Sequence, residues 1–266
     1  SILLGAEFDK VVSLLMVTVI LALALHRARK VLIRATAEQM AASELSRFFA
    51  PEVAGRIRET ERAIHPGEAE LRDAAILMID LRGFTPLSHE LAPRDVIGLL
   101  GEYQSRMVQV ITEHGGSVDK FMGDGILASF GASEASPTYA RDAMRAIEAL
   151  IDAADVWAEE WRADGRMAPP VGLAAATGRV MFGAIGNETR LEYTVIGDPV
   201  NLAAKLEKHS KVERARAVSP AASLELARAQ GYRPTKPVEL RRGRKVEGVA
   251  EALDLALFGG HRATDP

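Results

Sequence analysis

The chain has 266 residues, a formal net charge of −3 and no cysteine. That length holds one large core plus appendages, and the missing cysteine excludes a disulfide framework and a thiolate metal site. The slightly acidic, interspersed charge argues against a nucleic-acid-binding surface, so no nucleic-acid partner is expected.

The N-terminus stands apart. From Val11 to Leu25 the chain carries no charge, and His26, Arg27, Arg29, Lys30 and Arg34 follow. Fifteen helical residues span only ~22 Å, short of a ~30 Å hydrocarbon core, unless Phe8 and the Ile2–Ala6 run extend it with Asp9 and Lys10 at the interface. A signal peptide and a buried or oligomerising helix compete with a membrane span. The basic cluster directly after the apolar run favours the span, in contact with membrane lipid and with a cytoplasmic C-terminal side. Residues 1–27 are therefore expected to anchor the chain in the inner (plasma) membrane, as the last span of a truncated membrane region. Residues 28–66 read as a helical connector, with Leu45, Phe49, Val53 and Ile57 as one apolar stripe. The stripe fits either a helix packed on the next domain or a two-helix stalk, and its heptads are too few to decide.

A catalytic domain is expected over 67–260. Ala74–Leu81 reads as a buried strand. Pro93–His114 reads as a helix with Val96, Leu99, Leu100, Tyr103, Met107, Val110 and Ile111 inward, closed by Gly115-Gly116. Val118–Met122 and Ile126–Phe130 form a hairpin through Gly123-Asp124-Gly125. A helix follows from Ser136-Pro137 to Ala163, then a strand over Val171–Thr177. Met181–Ile185 and Glu192–Ile196 pair as a second hairpin, Pro199–Lys208 is helical, and three short strands follow Arg216. The order β-α-β-β-α-β defines an α+β ferredoxin-like or palm fold, an antiparallel sheet flanked by helices.

In such a sheet the end of the first strand lies beside the central hairpin turn, which brings Asp80 and Asp124 together. Two adjacent carboxylates need a cation. Mg²⁺ takes hard oxygen ligands, commonly one or two carboxylates plus substrate phosphates. Arg82-Gly83-Phe84-Thr85 leads into a helix whose first N–H groups suit a polyphosphate. Taken singly, either aspartate is more often a turn residue.

Four stretches carry a more specific signal: IDLRGFT from Ile79, DKFMGDGILASF from Asp119, GLAAATGRVMFGAIG from Gly172 and EYTVIGDPVNLAAKLE from Glu192. In this order and spacing they resemble class III nucleotidyl cyclases, over roughly residues 70–258. ELSRFFAPEV at 44–53 is similar to the connector that often precedes such domains. The resemblance implies an adenylate cyclase that converts ATP to 3′,5′-cyclic AMP and pyrophosphate. Two metal ions, Mg²⁺ or Mn²⁺, would be held by Asp80, Leu81 and Asp124, with Phe84 and Thr85 on the substrate. Lys120 and Thr194 match the base-reading pair. A lysine offers only donors, which suits the N1 acceptor of adenine, whereas guanine has a protonated N1 there. Asn201 matches the asparagine that orients the ribose and transition state. Lys205 stands where the family usually has arginine, which removes the planar fork on the reacting phosphate. Arg244, within the basic run 241–245, is taken as the terminal-phosphate contact. The resemblance further implies a homodimer, joined through the catalytic domain and connector, whose metal aspartates and base-reading residues come from opposite chains. Lys205 also motivates an alternative, an inert nucleotide-binding module that transmits a membrane signal. A diguanylate cyclase shares the palm sheet, but no GGDEF-type stretch is present.

Overall fold

The computed structural model describes residues 13, 15–30, 32–33, 40, 69–187 and 190–259. The chain divides into two compact units, Ser1–Ala54 and Gly55–Pro266. In the first, residues 15–30 are helical with their apolar side chains exposed. Among the described residues no helix is long and apolar enough to cross a membrane. The expected anchor over 1–27 and the inner-membrane placement therefore find no support in these residues. The connector stripe Leu45–Ile57 lies outside the described residues.

The second unit is built on an eight-stranded sheet. Its elements are β1 (Ala69–Leu81), α1 (Phe84–Glu90), α2 (Pro93–Glu113), β2 (Ser117–Met122), β3 (Gly125–Phe130), α3 (Tyr139–Ala163), β4 (Val171–Asn187), β5 (Arg190–Ile196), α4 (Asp198–Ser210), β6 (Ala217–Pro220), α5 (Ala221–Ala229), β7 (Val238–Arg244) and β8 (Leu253–Phe258). The strand order is β2-β3-β1-β4-β6-β8-β7, with β5 paired to β4. All pairs are antiparallel except β4 with β6. Two details differ from the sequence expectation. The strand at Val171 runs without a break through the Met181–Ile185 segment, and α5 stands among the last three strands.

Helices cover both faces, which is why the central strands read as continuous apolar runs rather than alternating ones. Successive strand residues point to opposite faces. Ala75, Leu77, Ile79, Leu173, Ala175, Ala256 and Phe258 pack with α2, α3 and α5 in one core. Ala174, Val218, Leu255 and Leu257 pack with Leu206 of α4 in the other. On α2 the fully buried stripe is Leu99, Tyr103, Met107 and Ile111, a spacing of four that keeps one helix face inward. Tyr103 lies against Trp157 of α3 at 5.9 Å between rings. The indole N–H groups of Trp157 and Trp161 both donate to Glu102 Oε1, at 3.0 and 3.2 Å. These contacts hold Tyr103 in the core that also contains Ile79 and Leu81 of β1.

Candidate active site

Asp80 is the penultimate residue of β1 and alternates to the α4 side of the sheet. Ile79 pairs with Ile126 of β3, so Asp80 leaves the strand level with the turn that carries Asp124. That turn is a two-residue loop closed by the Met122–Gly125 pair. Gly123 has φ 69 and Asp124 does not share that sign, the pattern of a II′ turn with glycine first. The two carboxylates meet. Burial, the Asp124 charge, the Glu207 charge and a hydrogen bond with Asp124 push Asp80 up to about 6, against a smaller opposing pull from Lys211.

Three further residues complete this corner, none of which the sequence alone assigns to the site. Tyr103 is fully buried, and its hydroxyl has no hydrogen-bond partner among the described residues. Burial first, then the charges of Asp80, Asp124 and Glu207, hold it well above its ordinary range. Glu207 of α4 is also buried, and its carboxyl is raised by burial against the pull of Lys211 and Arg82. Arg82 turns inward: its Nη2 donates to Ser210 Oγ (2.8 Å) and to the Ala215 carbonyl (2.6 Å). Gly172, directly opposite Asp80 on β4, makes room for this. A Cβ there would sit 2.6 Å from Glu207 Oε1 and 3.0 Å from Arg82 Nε. A sequence signal for Glu207 does exist, because it ends the VNLAAKLE stretch on the helix face that carries Ala203 inward.

Lys120 lies in β2 just after a register shift between Val118 and Lys120. Such bulges re-aim a side chain, and here the Lys120 ammonium donates to Glu192 Oε1 on β5. Glu192 faces Ile185 and Thr194 faces Gly183 across the β4–β5 pair. Together with Ile185, Gly186 and Asn187, Glu192 and Thr194 line a pocket of about 400 Å³. Lys120 therefore reaches the strand that carries its expected partner Thr194, with a carboxylate between them in sequence.

Asn201 and Lys205 sit one turn apart on α4, and Asn201 is exposed. The Lys205 ammonium donates to the Gly248 carbonyl. It lines a second pocket, of about 430 Å³, with Lys208, His209, Val212, Lys245 and Glu247. Arg244 is engaged elsewhere. Its Nε donates to Glu213 Oε1 (2.7 Å), while Arg241 Nη1 donates to Glu213 Oε2 (2.8 Å) and His209 Nε2 bonds Oε1 (2.8 Å). A register shift between Arg241 and Arg244 turns both guanidinium groups to the same carboxylate. Phe84 and Thr85 open α1, which has no side-chain cap; Gly83 precedes it at φ 76.

The Glu213 cluster makes a stability prediction. Burial alone raises this carboxyl, but hydrogen bonds from Arg244, Arg241 and His209 outweigh it and hold it below the ordinary range. A depressed native pKa means the contribution is complete above the unfolded value of about 4.3 and is lost as pH falls from there through the lower native value. Glu213→Gln is expected to cost about 2 kcal/mol at pH 7. Calorimetric melts at pH 7 and pH 3 check this: the variant should melt lower at pH 7, with a smaller gap at pH 3, and equal melting at pH 7 would refute it.

The description "Adenylate and Guanylate cyclase catalytic domain" belongs to the family whose model matches residues 68–250. The chain belongs to that family and carries a class III nucleotidyl cyclase catalytic domain. It is 33% identical over 153 residues to the adenylate cyclase of Anabaena cylindrica, a match covering 56% of this chain and 29% of that protein. The chain thus spans under a third of the length of the curated relatives it matches. The adenylyl cyclase CyaB from P. aeruginosa superposes with a TM-score of 0.63 at 26% identity, covering 75% of this chain and 100% of that structure. The guanylyl cyclase Cya2 superposes with a TM-score of 0.62 at 31% identity, covering 74% and 96%.

Proposed function

We propose that two copies of this chain form an adenylate cyclase that converts ATP to 3′,5′-cyclic AMP and pyrophosphate. The observation that carries this reading is the pairing of Asp80 with Asp124 at one place and of Lys120 with the Thr194 strand at another. The bond from the ribose 3′-oxygen to the α-phosphorus forms as the bond from that phosphorus to pyrophosphate breaks, and the 3′-hydroxyl proton is released.

Asp80 and Asp124 fit a divalent cation: both are hard oxygen donors, and burial together with the Asp124 and Glu207 charges raises Asp80 to about 6, a cost that a cation offsets. Leu81 follows Asp80 and is assigned with them. Two divalent cations, Mg²⁺ or Mn²⁺, supply when bound Lewis-acid polarisation of the phosphates and the attacking hydroxyl. Lys120 donates to adenine N1 and Thr194 lies beside the exocyclic amine. Asn201 orients the ribose, and Lys205 steadies charge on the reacting phosphate. The first N–H groups of α1, at Phe84 and Thr85, face the polyphosphate. Lys245 takes the terminal phosphates in place of Arg244, because it shares the Lys205 pocket while Arg244 serves Glu213.

Dimerisation is supported by exposed apolar side chains at the same strands: Phe121 and Met122 on β2, and Met181, Ile185 and Ile196 on the β4–β5 arm. Two-fold pairing there completes two equivalent sites, each with Asp80 and Asp124 from one chain and Lys120, Thr194, Asn201 and Lys205 from its partner. The test is release from ATP by the purified chain with Mn²⁺ or Mg²⁺. Pyrophosphate is expected, and orthophosphate with ADP instead would overturn the reading.

A second reading, a nucleotide-binding domain without turnover, rests on Lys205. Its ammonium already serves the Gly248 carbonyl, and it lacks the two-oxygen fork of arginine. The cyclase reading expects Lys205→Arg to raise kcat by up to about tenfold above a measurable wild-type rate. ATP binding without turnover in wild type, with turnover gained only in Lys205→Arg, would favour the inert module.

A further inference from the structure

We infer that Glu192 is a specificity-determining residue that reads the exocyclic amine of adenine beside Lys120. This rests on the reading of the β2–β5 corner as a purine site. Lys120 donates to Glu192 Oε1, and the lysine has two more N–H donors while the glutamate keeps a second oxygen, Oε2. One ammonium can therefore serve both Glu192 and a ring nitrogen. The result is a donor and an acceptor side by side. Adenine presents the complementary pair on its Watson–Crick edge, an acceptor at N1 and a donor at N6.

The backbone holds this pair in place. Tyr193 packs its ring 5.7 Å from that of Phe182, so alternation sends Glu192 and Thr194 to the opposite face of β5. Both line the pocket of about 400 Å³, with the Ile185 side chain as an apolar wall for a base. That volume lies in the range of small-molecule sites, ~300–1,000 Å³. Thr194 is buried and offers only a hydroxyl, a weaker acceptor than a carboxylate. Glu192 is the only carboxylate lining this pocket among the described residues. A plain surface ion pair between the same two residues predicts a different outcome, since its loss changes binding of neither nucleotide selectively.

The experiment compares wild type, Glu192→Ala and Glu192→Asp as full chains, with ATP and GTP as substrates. Glu192→Ala is expected to lower the ATP-to-GTP ratio of kcat/KM by about tenfold, chiefly through a higher KM for ATP, with partial rescue in Glu192→Asp. Calorimetric affinities for 3′-deoxy-ATP and 3′-deoxy-GTP, which lack the attacking hydroxyl, supply a readout that needs no turnover. There the same fall in preference is expected. An unchanged preference in Glu192→Ala by both readouts would overturn the role of Glu192. Absence of turnover in wild type would overturn the cyclase reading alone, and the affinity ratio would still decide on Glu192.

Discussion

Replacing Asp80 by asparagine is expected to abolish cyclisation, by on the order of 10³-fold or more, while making the metal-free protein more resistant to heat. The activity loss follows from removing one of two carboxylates assigned to the cations. The gain in stability follows from electrostatics. The Asp80 carboxyl rises from 3.8 to about 6 through burial, then the charges of Asp124 and Glu207. A carboxyl with a raised native pKa costs nothing while protonated; the cost grows as pH climbs from the unfolded value and is complete above the native one. Asparagine is neutral at every pH and removes it. Solvent screens this half-exposed site, so the gain at pH 7.5 is about 1 kcal/mol, a few degrees in Tm. At pH 5 the gap should shrink. Melting of metal-free wild type and Asp80→Asn at both pH values reads this directly, and a less stable variant at pH 7.5 would contradict it.

Two inactive variants are expected to restore activity when combined. Asp80→Asn spoils the metal half of a site, and Asn201→Ala spoils the half supplied by the partner. Each homodimer then has two broken sites. A heterodimer of the two has one doubly broken site and one intact site, because two-fold symmetry collects both lesions on the same side. Statistical pairing at equal expression gives half heterodimers, and therefore about a quarter of wild-type activity. Co-expression with differently tagged chains, followed by purification of the heterodimer, isolates the effect. A heterodimer as inactive as its parents would exclude sites shared across the interface in this way.

The sequence displays some of this machinery openly and hides the rest. Asp80 and Asp124 are legible because each ends or interrupts an apolar run beside glycine, where a charge has no bland packing role. The palm order follows from hydrophobic periods, and the β4–β5 pairing from two short runs at matching spacing. Tyr103 reads only as one more inward residue of α2, since nothing in a spacing of four tells that its hydroxyl feels the charges of two aspartates. Arg82 and Glu207 are 125 positions apart and both crowd the spot that a Gly172 side chain would fill. Arg244 was the natural choice in a basic run, but a register shift in β7 turns it with Arg241 to Glu213. Bulges leave no trace in residue identity alone, and the same holds for the one that aims Lys120 at Glu192. Helix α5 was missed because nine residues between short strands give too little periodicity to set against β propensity. The apolar run at the N-terminus suggests a membrane anchor, and among the described residues no helix is long and apolar enough to cross a membrane.

The most direct measurement is chromatographic identification of the product made by the purified full chain from ATP or GTP, each with Mg²⁺ or Mn²⁺. Cyclic AMP from ATP is expected with at least one of the two metals, at a higher kcat/KM than cyclic GMP from GTP. No cyclic nucleotide under any of the four conditions, or cyclic GMP as the preferred product, would contradict the assignment of Asp80, Asp124, Lys120 and Thr194 to an ATP-cyclising site.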